Sequence, residues 1–268
     1  MIDPIFGKAR SRLRKVGKIT LVASGKGGVG KSLVAASLAL ISANKGYRTG
    51  LLDLDVHGPS IPRMFGFDGE LMAGRGGLVP PVVSGLRVMS PGFMVGRNPV
   101  PLRGESKMSL LSFLLAITDW GDLDHLVIDI PPGTGDETIF CLRVLRGLRA
   151  GAIVVTTPSS LSQSVVMRLI SLLRGEGFRI HGLVENMAYI NCCGRFLRPF
   201  GSIDEDFLRD CGLRLLASLP IDPSIEERIR EGRFPELPEE FRSRIEELLD
   251  GIMGEVDVPR GTREGAGG

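Results

Sequence analysis

Between Gly25 and Ser32 the chain reads Gly-Lys-Gly-Gly-Val-Gly-Lys-Ser, which fits G-x-x-x-x-G-K-[ST]. Residues of these types in this order can hold a polyphosphate. Gly25, Gly27, Gly28 and Gly30 let the backbone curl so that its N–H groups, that of Val29 included, converge on phosphate oxygens. Lys31 brings a point charge to the outer phosphates, and Ser32 a hydroxyl to Mg²⁺. Downstream, Asp53 and Asp55 end a second apolar run at positions i and i+2, a spacing that points two strand side chains the same way. Asp129 ends a third run, Leu126-Val127-Ile128-Asp129, which has the form of a Walker B segment. Carboxylates so placed hold Mg²⁺, directly or through water, or orient an attacking water. Asp53 and Asp129 are expected in the Mg²⁺ shell, and Asp55 is expected to act on the water, with Lys31 beside it. Pro131-Pro132-Gly133-Thr134-Gly135-Asp136 follows as a rigid, glycine-broken loop beside the γ-phosphate, of a kind that changes shape when that phosphate leaves.

These residues need a scaffold, and the chain supplies one in order. Ile19 to Ala23 is short, apolar and β-branched, and predicts a buried strand feeding the glycine loop. Leu33 to Ala43 predicts a helix, stopped by Asn44-Lys45-Gly46. The helix start adds unpaired N–H groups and the positive end of its dipole to the phosphate site. Strands are further expected at Thr49–Asp55, Leu123–Ile130, Ala152–Thr156, Ile180–Glu185 and Leu213–Leu219. Helices are expected at Lys107–Thr118, Ser162–Leu173, Pro223–Glu231 and Glu239–Met253. Residues 66–104 are rich in Gly and Pro and read as an insertion over the nucleotide site, with Leu78–Val83 and Leu86–Ser90 joined at Ser84-Gly85 as a hairpin. Strands separated by helices predict an α/β fold: a doubly wound, mostly parallel sheet with helices on both faces. In such a sheet ligands bind at the carboxyl edge, where the acids above fall. The expected organisation is a basic N-terminal arm over 1–17, a P-loop ATPase domain over 18–253 and a disordered tail over 254–268.

Composition sets the outer bounds. At 268 residues, 43% hydrophobic and 24% charged, the chain can bury a full core, as one large globular domain or two small ones. A net charge of +2 argues neither for nor against a nucleic-acid partner, and none is expected. No apolar run nears the roughly 20 residues of a membrane helix, and the basic start lacks a secretory apolar core, so a cytoplasmic location and no membrane partner are expected. Lys8, Arg10, Arg12, Arg14, Lys15 and Lys18 form a charge run without aromatics, read as a solvated helix in preference to an anion-binding arm. Cys141, Cys192, Cys193 and Cys211 are then thiols or metal ligands rather than structural disulfides. Cys141 and Cys211 read as core.

With these residues in view the chain resembles a known group. Lys26, a second lysine near the start of the glycine loop, resembles the deviant Walker A motif of the MinD, ParA and nitrogenase iron-protein ATPases. More specifically, Asp53-Leu-Asp-Val-His-Gly-Pro-Ser-Ile-Pro-Arg-Met-Phe-Gly66 resembles the Mrp/ApbC family of iron–sulfur cluster carriers. So do Asp124-His-Leu-Val-Ile-Asp-Ile-Pro-Pro-Gly-Thr-Gly-Asp136 and Gly182-Leu-Val-Glu-Asn-Met187, the likeness running from about Lys18 to Gly232. The resemblance implies a homodimer that binds ATP with Mg²⁺, hydrolyses it slowly and delivers iron–sulfur clusters to apoprotein clients. It also implies that Lys26 reaches across the dimer to the partner's phosphates, a third catalytic lysine-or-acid role beside Lys31 and Asp55, and that Asn186 contacts the adenine.

The chain departs from the family where the cluster chemistry lies. Members usually carry Cys-x-x-Cys after the Asn-Met segment, two thiolates per subunit, so that a dimer holds a [4Fe-4S] cluster between its subunits. Here Cys192 and Cys193 are adjacent. Thiolate is the right iron ligand, yet neighbouring Cα atoms are about 3.8 Å apart and successive side chains diverge. Either both ligate with a distorted backbone, or one does, or the two form a vicinal disulfide, or both are small buried residues. The alternative class is a ParA/MinD-type positioning ATPase without a cluster. Lipid association of that kind wants a basic amphipathic C-terminal helix. The stripe Phe241, Ile245, Leu248, Leu249 and Ile252, with Glu246, Glu247 and Asp250 against Arg242 and Arg244, looks docked on the core instead.

Overall fold

The structure, a computed structural model, describes residues 4–56, 58–67, 71–95, 104–159, 162–192 and 195–254. The chain opens with helix α1 (Pro4–Leu13), strand β1 (Lys18–Ser24), helix α2 (Lys31–Asn44) and strand β2 (Thr49–Asp53). A short helix α3 (Ile61–Met64) leads to β3 (Met72–Ala73), β4 (Leu78–Val79), β5 (Val82–Val83), β6 (Leu86–Met89) and the turn-length α4 (Gly92–Val95). Then come α5 (Gly104–Ile117), β7 (His125–Asp129), α6 (Asp136–Leu145), β8 (Ala150–Thr156) and α7 (Gln163–Gly175). The last third holds β9 (Arg179–Cys192), β10 (Arg195–Leu197), α8 (Glu205–Cys211), β11 (Leu215–Pro220), α9 (Pro223–Arg230) and α10 (Glu239–Met253).

Nine strands form one sheet in the order β10-β9-β8-β1-β7-β2-β6-β5, with β11 also paired to β9. The interior pairs are parallel, and only the edges, β5 on β6 and β10 on β9, are antiparallel. This is the doubly wound α/β fold expected. Side-chain alternation divides the core in two. Ile19, Leu21, Ala23, Leu126 and Ile128 face a cluster that includes Ala9, Leu115, Leu142 and Leu169. Val22, Val127, Val155 and Val184 face Leu38, Leu40, Phe241 and Ile245 on the other side. β1 lies between β7 and β8, so the glycine loop leaves the middle of the sheet, and the register sets Val22 and Asp53 beside Asp129.

Four expectations are corrected in detail. β2 ends at Asp53, so Asp55 lies in the loop beyond it and the same-face argument for the two acids does not apply. The first arm of the expected hairpin is broken at Pro80-Pro81. β5 and β6 turn at Ser84 and Gly85 with φ of 51° and 78°, the two positive values of a type I′ turn, while β4 pairs with β3 outside the main sheet. β9 does not stop at Glu185 but runs on to Cys192, bending at Met187 with φ 57°. The basic N-terminal stretch is helical, but only one face is solvated: Ala9, Leu13 and Val16 are buried against the sheet's helices, and Arg10 donates to the Val144 carbonyl at 2.7 Å. α10 spans the expected residues, with its apolar stripe buried on α2 and β11. Among the described residues no helix is long and apolar enough to cross a membrane. The expected tail, from 255 onward, lies outside the described residues.

Candidate nucleotide site and cysteine hairpin

The carboxyl edge of the parallel strands gathers most of the residues singled out by type. Lys31 is the first residue of α2 and is buried. Its ammonium donates to Asp129 Oδ1 in a short contact and stands 4.0 Å from Asp55 Oδ2. Asp129, the last residue of β7, is fully buried. Burial pushes its carboxyl up, and the Lys31 charge and the Ser32 hydroxyl pull it back. Its second oxygen, Oδ2, is buried without a hydrogen-bond partner. An orphaned carboxylate oxygen next to a serine hydroxyl is a donor set suited to a hard divalent cation, and Mg²⁺ takes just one or two protein ligands alongside phosphates and waters.

Asp53 is committed elsewhere. Its Oδ1 accepts from the Asp55 N–H and its Oδ2 from the Ser90 hydroxyl, both at 2.9 Å. Burial first, then the charge of Asp129, raises its carboxyl to about 8. Asp55 is half-buried in the loop beyond β2, and its Oδ1 accepts from the Gly58 N–H at 3.3 Å. The two acids thus separate in kind: Asp53 braces the loop from below, and Asp55 is the one that faces Lys31.

The glycine loop is held from behind. Gly28 and Gly30 have φ of 78° and 80°. Asn186, buried on β9, donates from Nδ2 to the Val29 carbonyl at 2.8 Å, and a Cβ on Gly30 would lie 2.1 Å from that nitrogen. A Cβ on Gly25 would strike the Val165 backbone at 2.8 Å. Gly27 has open space around it, and Lys26 is exposed at the rim, its carbonyl accepting from the Ser24 hydroxyl at 2.9 Å. The Pro131–Asp136 loop joins the same edge through Gly133 N–H to the Ser24 carbonyl at 2.8 Å. Lys31, Ser32, Asp53, Asp55, Asp129 and Asn186 are therefore brought together around one loop.

Cys141, Cys192 and Cys211 are not part of this gathering. β9 leaves the sheet as one arm of a hairpin with β10, and Cys192 pairs with Arg195 across it, exposed. Exposure removes the buried-residue reading for Cys192; Cys193 lies outside the described residues. Cys141 and Cys211 are buried core, as expected, and burial pushes the Cys141 thiol up to about 12, away from the thiolate a metal needs. Among the described residues no three His, Cys, Asp or Glu side chains are grouped to hold a metal ion unaided.

Three residues not singled out by sequence serve these features. Glu185, buried on β9, accepts from Ile203 N–H at 2.8 Å and from the Ser218 hydroxyl at 2.7 Å, anchoring the chain that returns from the hairpin. Glu240 on α10 accepts from Tyr189 at 2.8 Å and Asn191 at 3.4 Å, fastening the hairpin's root. Ser90, at the end of β6, bonds Asp53. A usable sign existed for Ser90 alone, a hydroxyl ending an expected strand at the ligand edge.

A central P-loop, acids ending β7 and β2 on one side of it and a parallel sheet wound on both faces define a P-loop NTPase. The family described as ParA, NUBPL iron-transfer P-loop NTPase, matches residues 15–257, and the chain belongs to it. It is 40% identical over 238 residues to the iron-sulfur cluster carrier protein of Aquifex aeolicus, covering 86% of this chain and 64% of that protein, a little under two thirds of its length. It is 38% identical over 263 residues to the cytosolic Fe-S cluster assembly factor NUBP2 of Gallus gallus, covering 91% and 96%. Among solved structures, the nucleotide-binding protein in complex with ADP from Archaeoglobus fulgidus is similar with a TM-score of 0.77 at 34% identity, covering 88% of this chain and 95% of that one.

Proposed function

We propose that this chain binds ATP with Mg²⁺, hydrolyses it slowly, and as a homodimer carries an iron–sulfur cluster that it hands to apoprotein clients. The observation that carries the reading is that one strand, β9, bears both the residue bonded to the P-loop, Asn186, and the exposed Cys192. The names of the relatives, carrier and assembly factor, support the cargo. Lys31 neutralises the outer phosphates, and the loop N–H groups cradle them. Ser32 and Asp129 would hold Mg²⁺, which on binding supplies charge to the developing phosphate oxygens. Asp55 orients the attacking water, and Asp53 supports Asp55 from behind rather than joining the metal. Lys26, at the exposed rim, serves the facing subunit. Asn186 contacts the adenine through whatever capacity its amide keeps beyond the Val29 bond. Cys192 and Cys193 of two subunits supply the thiolates. The ParA/MinD-type alternative is disfavoured by α10, whose apolar stripe is buried in the core instead of being available to lipid.

Anaerobic reconstitution with iron and sulfide counting tests the cargo. Wild type should retain iron, Cys192→Ala/Cys193→Ala should retain none, and both should bind ATP alike by calorimetry. Equal iron in the two proteins overturns carriage. Lys31→Ala should abolish tight ATP·Mg²⁺ binding while keeping the fold; unchanged affinity overturns the nucleotide site itself.

A further inference from the structure

The hydrolytic acid of this site is not positioned by its own strand. β2 ends two residues before Asp55, and the Asp55 main chain is held where it is by Asp53, whose buried carboxylate accepts the Asp55 N–H at 2.9 Å. Asp53 is in turn fixed by a residue 37 positions away, Ser90, whose hydroxyl donates to Oδ2 at 2.9 Å. Ser90 is itself fully buried. The Ser90 oxygen also accepts from the Gly92 N–H at 3.1 Å, so one hydroxyl ties Asp53 to the turn that follows β6. The same turn packs on the chain leaving Asp55, because a Cβ on Gly92 would lie 2.9 Å from Pro62 and 3.3 Å from Pro59.

We propose that Ser90 is a positioning residue for hydrolysis, acting through Asp53 to set the loop that carries Asp55. This rests on the reading of Asp55 as the residue that orients water. The Ser90 hydroxyl bonds Asp53 and the Gly92 N–H rather than the glycine loop or Lys31, so its removal alters the aim of Asp55 and not the phosphate cradle. An alanine leaves the Asp53 Oδ2 buried without its donor. The carboxylate then turns or takes up another donor, and the Asp55 amide follows it.

The test is steady-state kinetics and ATP calorimetry on wild type, Ser90→Ala, Asp55→Ala and the double variant. Ser90→Ala should lower kcat about tenfold while ATP affinity stays within about twofold, the signature of an interaction needed for the step rather than for binding. In the Asp55→Ala background, Ser90→Ala should change kcat by less than about twofold, because the residue it acts through is gone. Three outcomes overturn the inference: wild-type kcat in Ser90→Ala, parallel loss of kcat and ATP affinity, or full additivity of the two substitutions. Wild-type kcat in Asp55→Ala is a different failure, since it removes the assignment of Asp55 and with it the functional reading on which this inference stands.

Discussion

Asp53 and Asp55 show how two residues of one type, two positions apart, can do different work. Asp55 faces Lys31 at 4.0 Å from a half-buried loop, and Asp55→Ala should bind ATP yet turn over at least about tenfold more slowly, about 1.4 kcal/mol in the barrier, measured as phosphate release under saturating ATP. Asp53 is buried with its carboxyl raised to about 8, above the 3.8 of an exposed aspartate. The folded state therefore keeps a proton that the unfolded chain gives up, and stability falls as pH rises from about 4 to about 8. Asp53→Asn retains an acceptor for the Asp55 N–H and removes the charge. Relative to wild type, its melting temperature should shift upward as pH is raised from 6 to 8.5; a shift that is the same at both pH values contradicts the burial argument. Sequence spacing located both acids at the right edge of the sheet. It could not tell them apart, because their difference lies in Ser90 and in where β2 stops, and neither is encoded in the acids themselves.

At the scale of elements, the P-loop is held as much by β9 as by its own strand. Gly30 caps α2 with φ 80°, and any side chain there meets Asn186 at 2.1 Å. Gly30→Ala should lose ATP binding and destabilise the fold by about 1–3 kcal/mol from backbone strain plus the clash. Adding Asn186→Ala should recover part of the stability, read as denaturant midpoints; no recovery would mean that the strain is entirely in φ. Elements with a simple period were legible: α10 by its stripe, α2 by its Ala and Leu run, and the β5–β6 turn by Ser84-Gly85. β9 was only half legible. Glu185 and Asn186 interrupt the apolar run and look like a strand end, whereas their polar groups are satisfied by Ile203, Ser218 and Val29, residues far away in sequence. The extension to Cys192 depends on a bend at Met187 that no propensity foretells.

For the whole molecule, the alternation of strands and helices was enough to predict the doubly wound sheet, since parallel neighbours need a crossover and both faces need covering. The docking of α1 was not, because its cations Lys8, Arg10 and Arg12 mask the buried Ala9 and Leu13 of the same helix. Assembly brings the exposed Lys26 into play. With Lys31 already on the site's own carboxylates, Lys26→Ala should leave ATP binding by the monomer intact while removing ATP-linked dimerisation and turnover. Light scattering with and without ATP checks it, and an unchanged dimer fraction would end the cross-subunit role. β9 has one further meaning for such an assembly. Asn186 and Cys192 lie six residues apart on this one strand, which bends at Met187 between them. No loop separates the two, so a shift of the glycine loop that carries Asn186 with it has one path to the thiol, along β9 and through that bend.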